Sequence, residues 1–414
     1  MMSSATYLPA PVVPVSPQAP AAVKPDPAVA AALASSEALR RSVVAQAHTM
    51  VVKVGTRVLT QPDGTLDYGR IEQLAEEIHT ISSGGRRVVL VSSGAVGAGV
   101  GLLGLKGRPT DLARLQAVAA VGQTHLIQAY DRTLARHGRR AAQVLLTLED
   151  VDDRVRYLNV RNTLNSILEY GAVPIINEND TVSVEELKTT FGDNDRLAAM
   201  VTNLLQAPLL VVLSDIAGLY DGDPSLPQSQ LVPLVEKIDE RVLGYVRDRR
   251  TGLTKGGMAS KLEAARMVTL AGGHMIITTG RQPGVLARVV AGENLGTLFL
   301  AQGKSISPSK RWLGFSAQVR GRIHLDAGAC RAILQQGRSL LAAGILGTQG
   351  DFRPGDVVAL CDEEGNVIAR GLTNYAAQDV ERIKGLRSEK IAQVLGHRPY
   401  EEVIHRDNLV IVKK

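Results

Sequence analysis

Apolar and polar positions divide this chain into three textures. Residues 1–49 are rich in Ala, Pro, Val and Ser with no sustained period, which predicts a flexible tail carrying at most a short helix near 28–45. From residue 50 the pattern changes. Short aliphatic and β-branched runs recur at 50–54, 88–91, 141–146, 173–176, 209–213 and 274–277. Between them, apolar residues repeat every three or four positions at 71–81, 112–121, 125–136, 157–170, 197–205 and 258–270. Unbroken apolar runs bounded by turns predict buried strands, and the longer period predicts amphipathic helices. Strands alternating with helices imply parallel strands whose crossover helices cover both faces. The fold expected for residues 50–301 is therefore a three-layer α/β/α sandwich with a mainly parallel sheet. After residue 310 short strands and glycine-rich turns take over, with a hairpin expected from 357–361, a polar turn and 367–372. Residues 315–414 then form a small β-rich second domain, joined by a linker at 302–314.

The densest polar stretch lies between an apolar strand and an amphipathic helix, in INENDTV and FGDNDRLAA. Asp193, Asn194 and Asp195 stand where a helix begins, and oxygen-bearing side chains are favoured there as caps. Capping does not explain Asn177, Glu178, Asn179 and Asp180 directly after a buried strand. Ligands of open α/β sheets bind at the carboxyl ends of strands, so two polar clusters with Lys188 between them suggest a site for a small zwitterion. Other strand ends add to it. Lys53 lies in the first apolar strand, where an ammonium is costly to bury unless an anion meets it, the alternative being a side chain that reaches the surface from an edge. Ser92, Ser93 and a glycine run follow the second strand, suited either to backbone contact with an anion or to tight helix packing. Ser214 and Asp215 end a later strand. Gly256 and Gly257 precede a helix with Ser260 and Lys261 in its first turn, a layout that fits phosphate oxygens.

Two familiar patterns do not hold. Gly99, Gly101 and Gly104 have dinucleotide-loop spacing but begin well after their strand, and Gly303–Lys304–Ser305 follows Leu298 where a phosphate loop requires glycine. Two distant cysteines without metal spacing argue against disulfides and zinc. With no apolar run long enough to cross a bilayer and no secretory start, a cytoplasmic setting without membrane contact is expected. The net charge is +6, and from Gly303 onward 17 Lys/Arg stand against 12 Asp/Glu. Most of the basic excess thus lies in the second domain, which leaves nucleic acid open as its partner.

Two lysines, glycine loops and several carboxylates, without a His or Cys placed as nucleophile, suit phosphoryl transfer, where positioning and charge neutralisation supply most of the catalysis. A carboxylate acceptor fits well. With a pKa of about 4.3 it is ionised at neutral pH and needs no general base.

The motifs of residues 50–301 carry a family resemblance. VVKVGT, VSSGAVGAG, AAVGQ, INENDTV, FGDNDRLAA, LSDIAGLYDGDP and GGMASK stand in the order found in the glutamate 5-kinases, a branch of the amino acid kinase family, over about residues 50–301. The remainder resembles the PUA domain often attached to them. The resemblance implies ATP-dependent phosphorylation of the side-chain carboxylate of L-glutamate, the opening step of proline biosynthesis, with ATP and Mg²⁺, homo-oligomers and feedback inhibition by proline. It implies that Lys53 contacts ATP phosphates and that Ser93, Asp180 and Asn194 hold glutamate. Ser214 and Asp215, with the loop Lys255, Gly256, Gly257, Met258, Ala259, Ser260 and Lys261, would hold the nucleotide. Lys53 and Lys261 would stabilise the transferring phosphoryl group from opposite sides, with Asp195 orienting both. Three departures from the family pattern stand out: Lys255 where Thr is frequent, Ser214 where Thr is frequent, and the insertion of Thr189 and Thr190. Two rivals remain open at this level. One is a related kinase acting on acetylglutamate or aspartate, against which Asp180 speaks because an acetylated amine is neutral. The other is an RNA-binding protein whose second domain carries the main role.

Overall fold

The computed structural model describes residues 27–182, 193–246, 256–302, 308–396 and 400–412. Eight strands build the first unit: β1 (Thr49–Val54), β2 (Arg87–Ser92), β3 (Ala141–Leu146), β4 (Val173–Glu178), β5 (Leu209–Ser214), β6 (Leu234–Val235), β7 (His274–Thr279) and β8 (Thr297–Phe299). Their order in the sheet is β3-β4-β2-β1-β5-β7-β8-β6. All neighbours from β3 to β7 are parallel, so the ends of β1, β2, β4 and β5 share one edge. β8 reverses, antiparallel to β7, and the edge strand β6 follows it in parallel. The short β6 and β8 carry too few residues for a legible apolar run, and neither was expected.

Alternation along β1 decides which way its side chains point. Met50, Val52 and Val54 pack with helix Tyr68–Ser83 and helix Leu112–Arg136 on one face. Val51 packs on the other, with Leu197, Leu204, Leu262 and Val268 of helices Asp193–Leu205 and Gly256–Leu270. A strand's side chains alternate with period two, so Lys53 falls on the face of those two helices. It does so at the centre of the sheet, paired in register with Val91 and Val212.

Helices 112–121 and 125–136 of the sequence reading are one helix, Leu112–Arg136. Gly122 does not break it because that position is where the helix meets helix Ala95–Leu102: a Cβ there would stand 1.9 Å from the Ala95 carbonyl oxygen.

The expected flexible tail through residue 49 is corrected from residue 36 onward. Helix Pro27–Ala45 leads into the sandwich, with Val43, Val44 and Ala47 in its core. Arg40 is 1% exposed and donates to the carbonyls of Leu295 and Pro233, both at 2.7 Å, and of Gly296 at 3.1 Å. The alanine-rich sequence hid this face, because alanine separates the faces of a helix poorly.

The connection expected at 302–314 is structured over its described part. Residues 308–316 form helix Pro308–Arg311 and a wide turn, Trp312–Ser316, with Trp312, Leu313 and Phe315 buried. Trp312 meets Tyr157 edge-on at 6.5 Å between ring centroids, and large aromatics in a connection bury better than they swing free. Beyond it, β9 (Gly321–Leu325), β10 (Ile345–Gln349), β11 (Val357–Cys361), β12 (Val367–Leu372) and β13 (Leu409–Ile411) form a second sheet in the order β10-β9-β11-β12-β13. The β11–β12 hairpin stands where it was expected.

Candidate active site

The second face of β1 brings three charged groups together. Lys53 Nζ lies 2.6 Å from Asp195 Oδ1, and Lys261 Nζ lies 3.0 Å from Asp195 Oδ2. One carboxylate therefore holds two ammonium groups, one on each oxygen. Asp195 is fully buried and Lys53 is 6% exposed. Burial pushes the Asp195 carboxyl toward its neutral form, but Lys53 and Lys261 outweigh it and hold the pKa below the usual carboxylate range. Burial also lowers the Lys261 pKa, against the attraction of Asp195 and with the repulsion of Lys53. The triad carries a net positive charge in a nearly dry site, which is unfavourable unless an anion joins it.

Helix Gly256–Leu270 fixes this geometry from its second turn, because Gly256 and Gly257 open the helix instead of preceding it. Ser260 Oγ donates to Asp195 Oδ2 at 3.0 Å, and Lys261 Nζ also reaches the Gly257 carbonyl at 3.3 Å. The lysine is folded back over a helix start, where the dipole disfavours a cation. Gly257, Met258 and Ala259 line the half-buried first turn, and Gly256 begins it. Lys255, Lys188, Thr189 and Thr190 lie outside the described residues.

Beside the triad runs a chain of neutral side chains. Asn194 Nδ2 donates to Ser93 Oγ at 3.0 Å and to Asn177 Oδ1 at 3.3 Å. Ser93 sits just past β2, where its N–H donates to the Val54 carbonyl. Asp180, in the turn after β4, is 8% exposed. Its pKa is raised to about 7 by burial first and by the nearby Glu178 carboxylate second, with Arg108 partly opposing. At the end of β5, Ser214 Oγ donates to Asp215 Oδ1 at 3.1 Å, and Arg57 Nη1 reaches Asp215 Oδ2 at 2.9 Å. Burial raises the Asp215 pKa, but the bonds from Arg57 and Ser214 leave it lower than usual.

The structure thus joins Lys53, Asp195, Ser260 and Lys261 in one cluster and Ser93 with Asn194 in another. Adjacent residues 194 and 195 link the two. Arg57 was not singled out, and it has no local signal because its partner Asp215 lies on another segment; Glu178 stood in the polar cluster after β4 without a role of its own, which only burial beside Asp180 supplies. The glycines after β2 divide: Gly94 opens helix Ala95–Leu102 with φ 113°, whereas a Cβ at Gly99 would lie 1.9 Å from the Val118 carbonyl oxygen. Helix packing accounts for Gly99. Among the described residues no group of three or more His, Cys, Asp or Glu is arranged to hold a metal, and no helix is long and apolar enough to cross a membrane.

Comparison with known proteins agrees with this architecture. The family profile described as "Amino acid kinase family" matches residues 48–279, and "PUA domain" matches residues 321–395. The "Glutamate 5-kinase" of Rhodopirellula baltica is 50% identical over 378 residues, covering 91% of this chain and 97% of that protein. Those of Syntrophotalea carbinolica and Thermoanaerobacter sp. (strain X514) are 46% identical over 376 residues and 45% over 366, covering 91% and 88% of this chain and 100% and 98% of theirs. A sandwich whose central strand delivers a lysine to a buried aspartate shared with a second lysine is, in this chain, that of a member of the amino acid kinase family, and within it the chain belongs to the glutamate 5-kinases.

Proposed function

We propose that this protein transfers the γ-phosphoryl group of ATP to the side-chain carboxylate of L-glutamate, giving L-glutamyl 5-phosphate and ADP, the first step of proline biosynthesis. The observation that carries the reading is the grip of one buried carboxylate, Asp195, on both Lys53 and Lys261. The acceptor and the phosphates are both anionic and repel each other. Two ammonium groups held at fixed positions offset that repulsion and the charge that develops on the transferring oxygens. Asp195 keeps the lysines in place so that no reorganisation is needed at the moment of transfer. One carboxylate oxygen forms a bond to phosphorus as the bond to the bridging oxygen of ADP breaks, and no proton has to move.

Lys53 contacts the phosphates from the sheet and Lys261 from the helix start. Ser214, Asp215, Lys255 and the turn Gly256–Ser260 hold the nucleotide in this reading. Mg²⁺ enters as part of Mg-ATP, carried on the phosphates, where it neutralises charge. Ser93 and Asn194 offer hydroxyl and amide groups to glutamate. Asp180, when ionised, accepts the substrate ammonium, which supports a free amino acid over an acetylated one. The test is ADP release from purified protein with Mg-ATP and, in turn, L-glutamate, L-aspartate and N-acetylglutamate. Glutamate alone should support turnover, and Lys261→Ala should reduce it by orders of magnitude without unfolding the chain. Release with acetylglutamate in place of glutamate would overturn the assignment.

Homo-oligomers, inhibition by proline and a cytoplasmic location belong to the same reading and are checked by sizing, by adding proline to that assay and by cell fractionation. RNA binding by the second domain has its basic excess in support, and a salt-dependent mobility shift with the full chain tests it.

A further inference from the structure

Gln123 stands one residue after Gly122, where helix Leu112–Arg136 packs tightly on helix Ala95–Leu102. That contact fixes the backbone from which the side chain projects. Its Oε1 accepts a 2.8 Å hydrogen bond from Asn177 Nδ2. Asn177 Oδ1 accepts in turn from Asn194 Nδ2, which also donates to Ser93 Oγ. Gln123, Asn177, Asn194 and Ser93 are 7%, 2%, 3% and 4% exposed. They come from a helix, the end of β4, the start of helix Asp193–Leu205 and the end of β2. No solvent reorders these bonds, so the sense of the first fixes the rest. With Gln123 accepting, Asn177 turns its oxygen toward Asn194 and makes Asn194 a donor.

One donor in this relay is left over. Gln123 Nε2 is buried and finds no acceptor among the described residues, an arrangement that folded interiors rarely keep unless something else completes it. The relay adjoins Asn194 and Ser93, the residues assigned above to glutamate, so a carboxylate is the acceptor chemically at hand.

We propose that Gln123 is a specificity-determining residue of the acceptor pocket: it orients Asn177 and through it Asn194, and its spare N–H donates to a carboxylate oxygen of the bound acceptor. This rests on the glutamate kinase reading and adds to it a group that rewards a carboxylate at one defined place. Sites built to hydrogen-bond a substrate group discriminate sharply, because a substrate lacking that group leaves buried partners unpaired.

The experiment uses the full-length chain with Gln123→Met and Gln123→Glu. Glutamate is varied at saturating Mg-ATP, Mg-ATP at saturating glutamate, and thermal unfolding is followed in parallel. Gln123→Met removes both bonds at nearly constant volume and should raise the glutamate KM by about tenfold or more, with the ATP KM within about twofold of wild type. Gln123→Glu keeps the acceptor for Asn177 but sets a carboxylate where the substrate's own would lie, so its glutamate KM should rise further. It also preserves the relay, and serves alone if Gln123→Met does not fold. An unchanged glutamate KM in Gln123→Met, equal rises in both KM values, or a Gln123→Glu no worse than Gln123→Met would each overturn the proposal. If wild type itself releases no ADP with glutamate, the underlying reading fails instead.

Discussion

Asp180 gives the sharpest test of how the acceptor is recognised, because its charge state should change within the pH range where the protein works. Its carboxyl is raised to about 7 by burial and by Glu178, only partly opposed by Arg108. Only the ionised form attracts the substrate ammonium. A group of that pKa is about one-tenth ionised at pH 6 and about nine-tenths at pH 8, so kcat/KM for glutamate should rise roughly ninefold between them and then level off. The glutamate side chain, with a pKa of about 4.3, stays ionised throughout and does not contribute. Asp180→Asn should abolish the rise and lift the glutamate KM by roughly a hundredfold, since removing one partner of a buried charge pair costs about 2–5 kcal/mol and about 1.4 kcal/mol is tenfold. Glu178→Gln should move the midpoint downward by removing the like charge. Stability should go the opposite way. A raised folded-state pKa stabilises fully below the unfolded value of about 3.9 and loses that contribution as pH rises through about 7. Asp180→Asn should therefore be no less stable than wild type at pH 8. The assay is steady-state ADP release against glutamate at saturating Mg-ATP from pH 5.5 to 8.5, with urea unfolding alongside. A wild-type profile that is flat between pH 6 and 8, or an Asp180→Asn enzyme with an unchanged glutamate KM, would refute the role given to this carboxylate.

Asp195→Asn should lose most turnover and about 3–5 kcal/mol of stability at pH 7, measured by urea unfolding, because two buried ammonium groups lose their shared partner. The depressed pKa of Asp195 gives stability that is present above the unfolded carboxylate value of about 3.9, so the gap to wild type should close as pH falls through the folded value. Gly122→Ala should cost about 1–3 kcal/mol or more, seen as a lower Tm, because its methyl would press on the Ala95 carbonyl. Arg40→Met should cost about 4 kcal/mol or more, since three hydrogen bonds from a charged donor are lost and each contributes about 1.5–3 kcal/mol. Faster amide exchange in helix Pro27–Ala45 with unchanged turnover at 25 °C would match its place on the sheet face opposite Lys53, and exchange equal to wild type would contradict the packing.

Periodicity alone carried the layering of residues 50–301, because buried parallel strands must be apolar runs and the helices over them must have one apolar stripe. Lys53 was visible for the same reason: a lysine inside such a run is chemically expensive. The sequence also placed Asn194 and Asp195 at a helix start and Lys261 near another, one turn too early because the helix begins at Gly256. Only the tertiary structure decided that Lys53 and Lys261 meet on opposite oxygens of Asp195, since residues 53, 195 and 261 have no sequence relation and are joined by the face that β1 turns toward two helices. It also decided the fate of Gly99 and Gly122, where a ligand loop and a helix crossing leave the same small-residue mark. The packed helix before residue 49 and the buried connection at 308–316 stayed hidden because alanine and isolated aromatics carry weak periodicity. The raised pKa of Asp180 lay beyond sequence altogether, because desolvation and the distance to Glu178 exist only once the turn after β4 has closed.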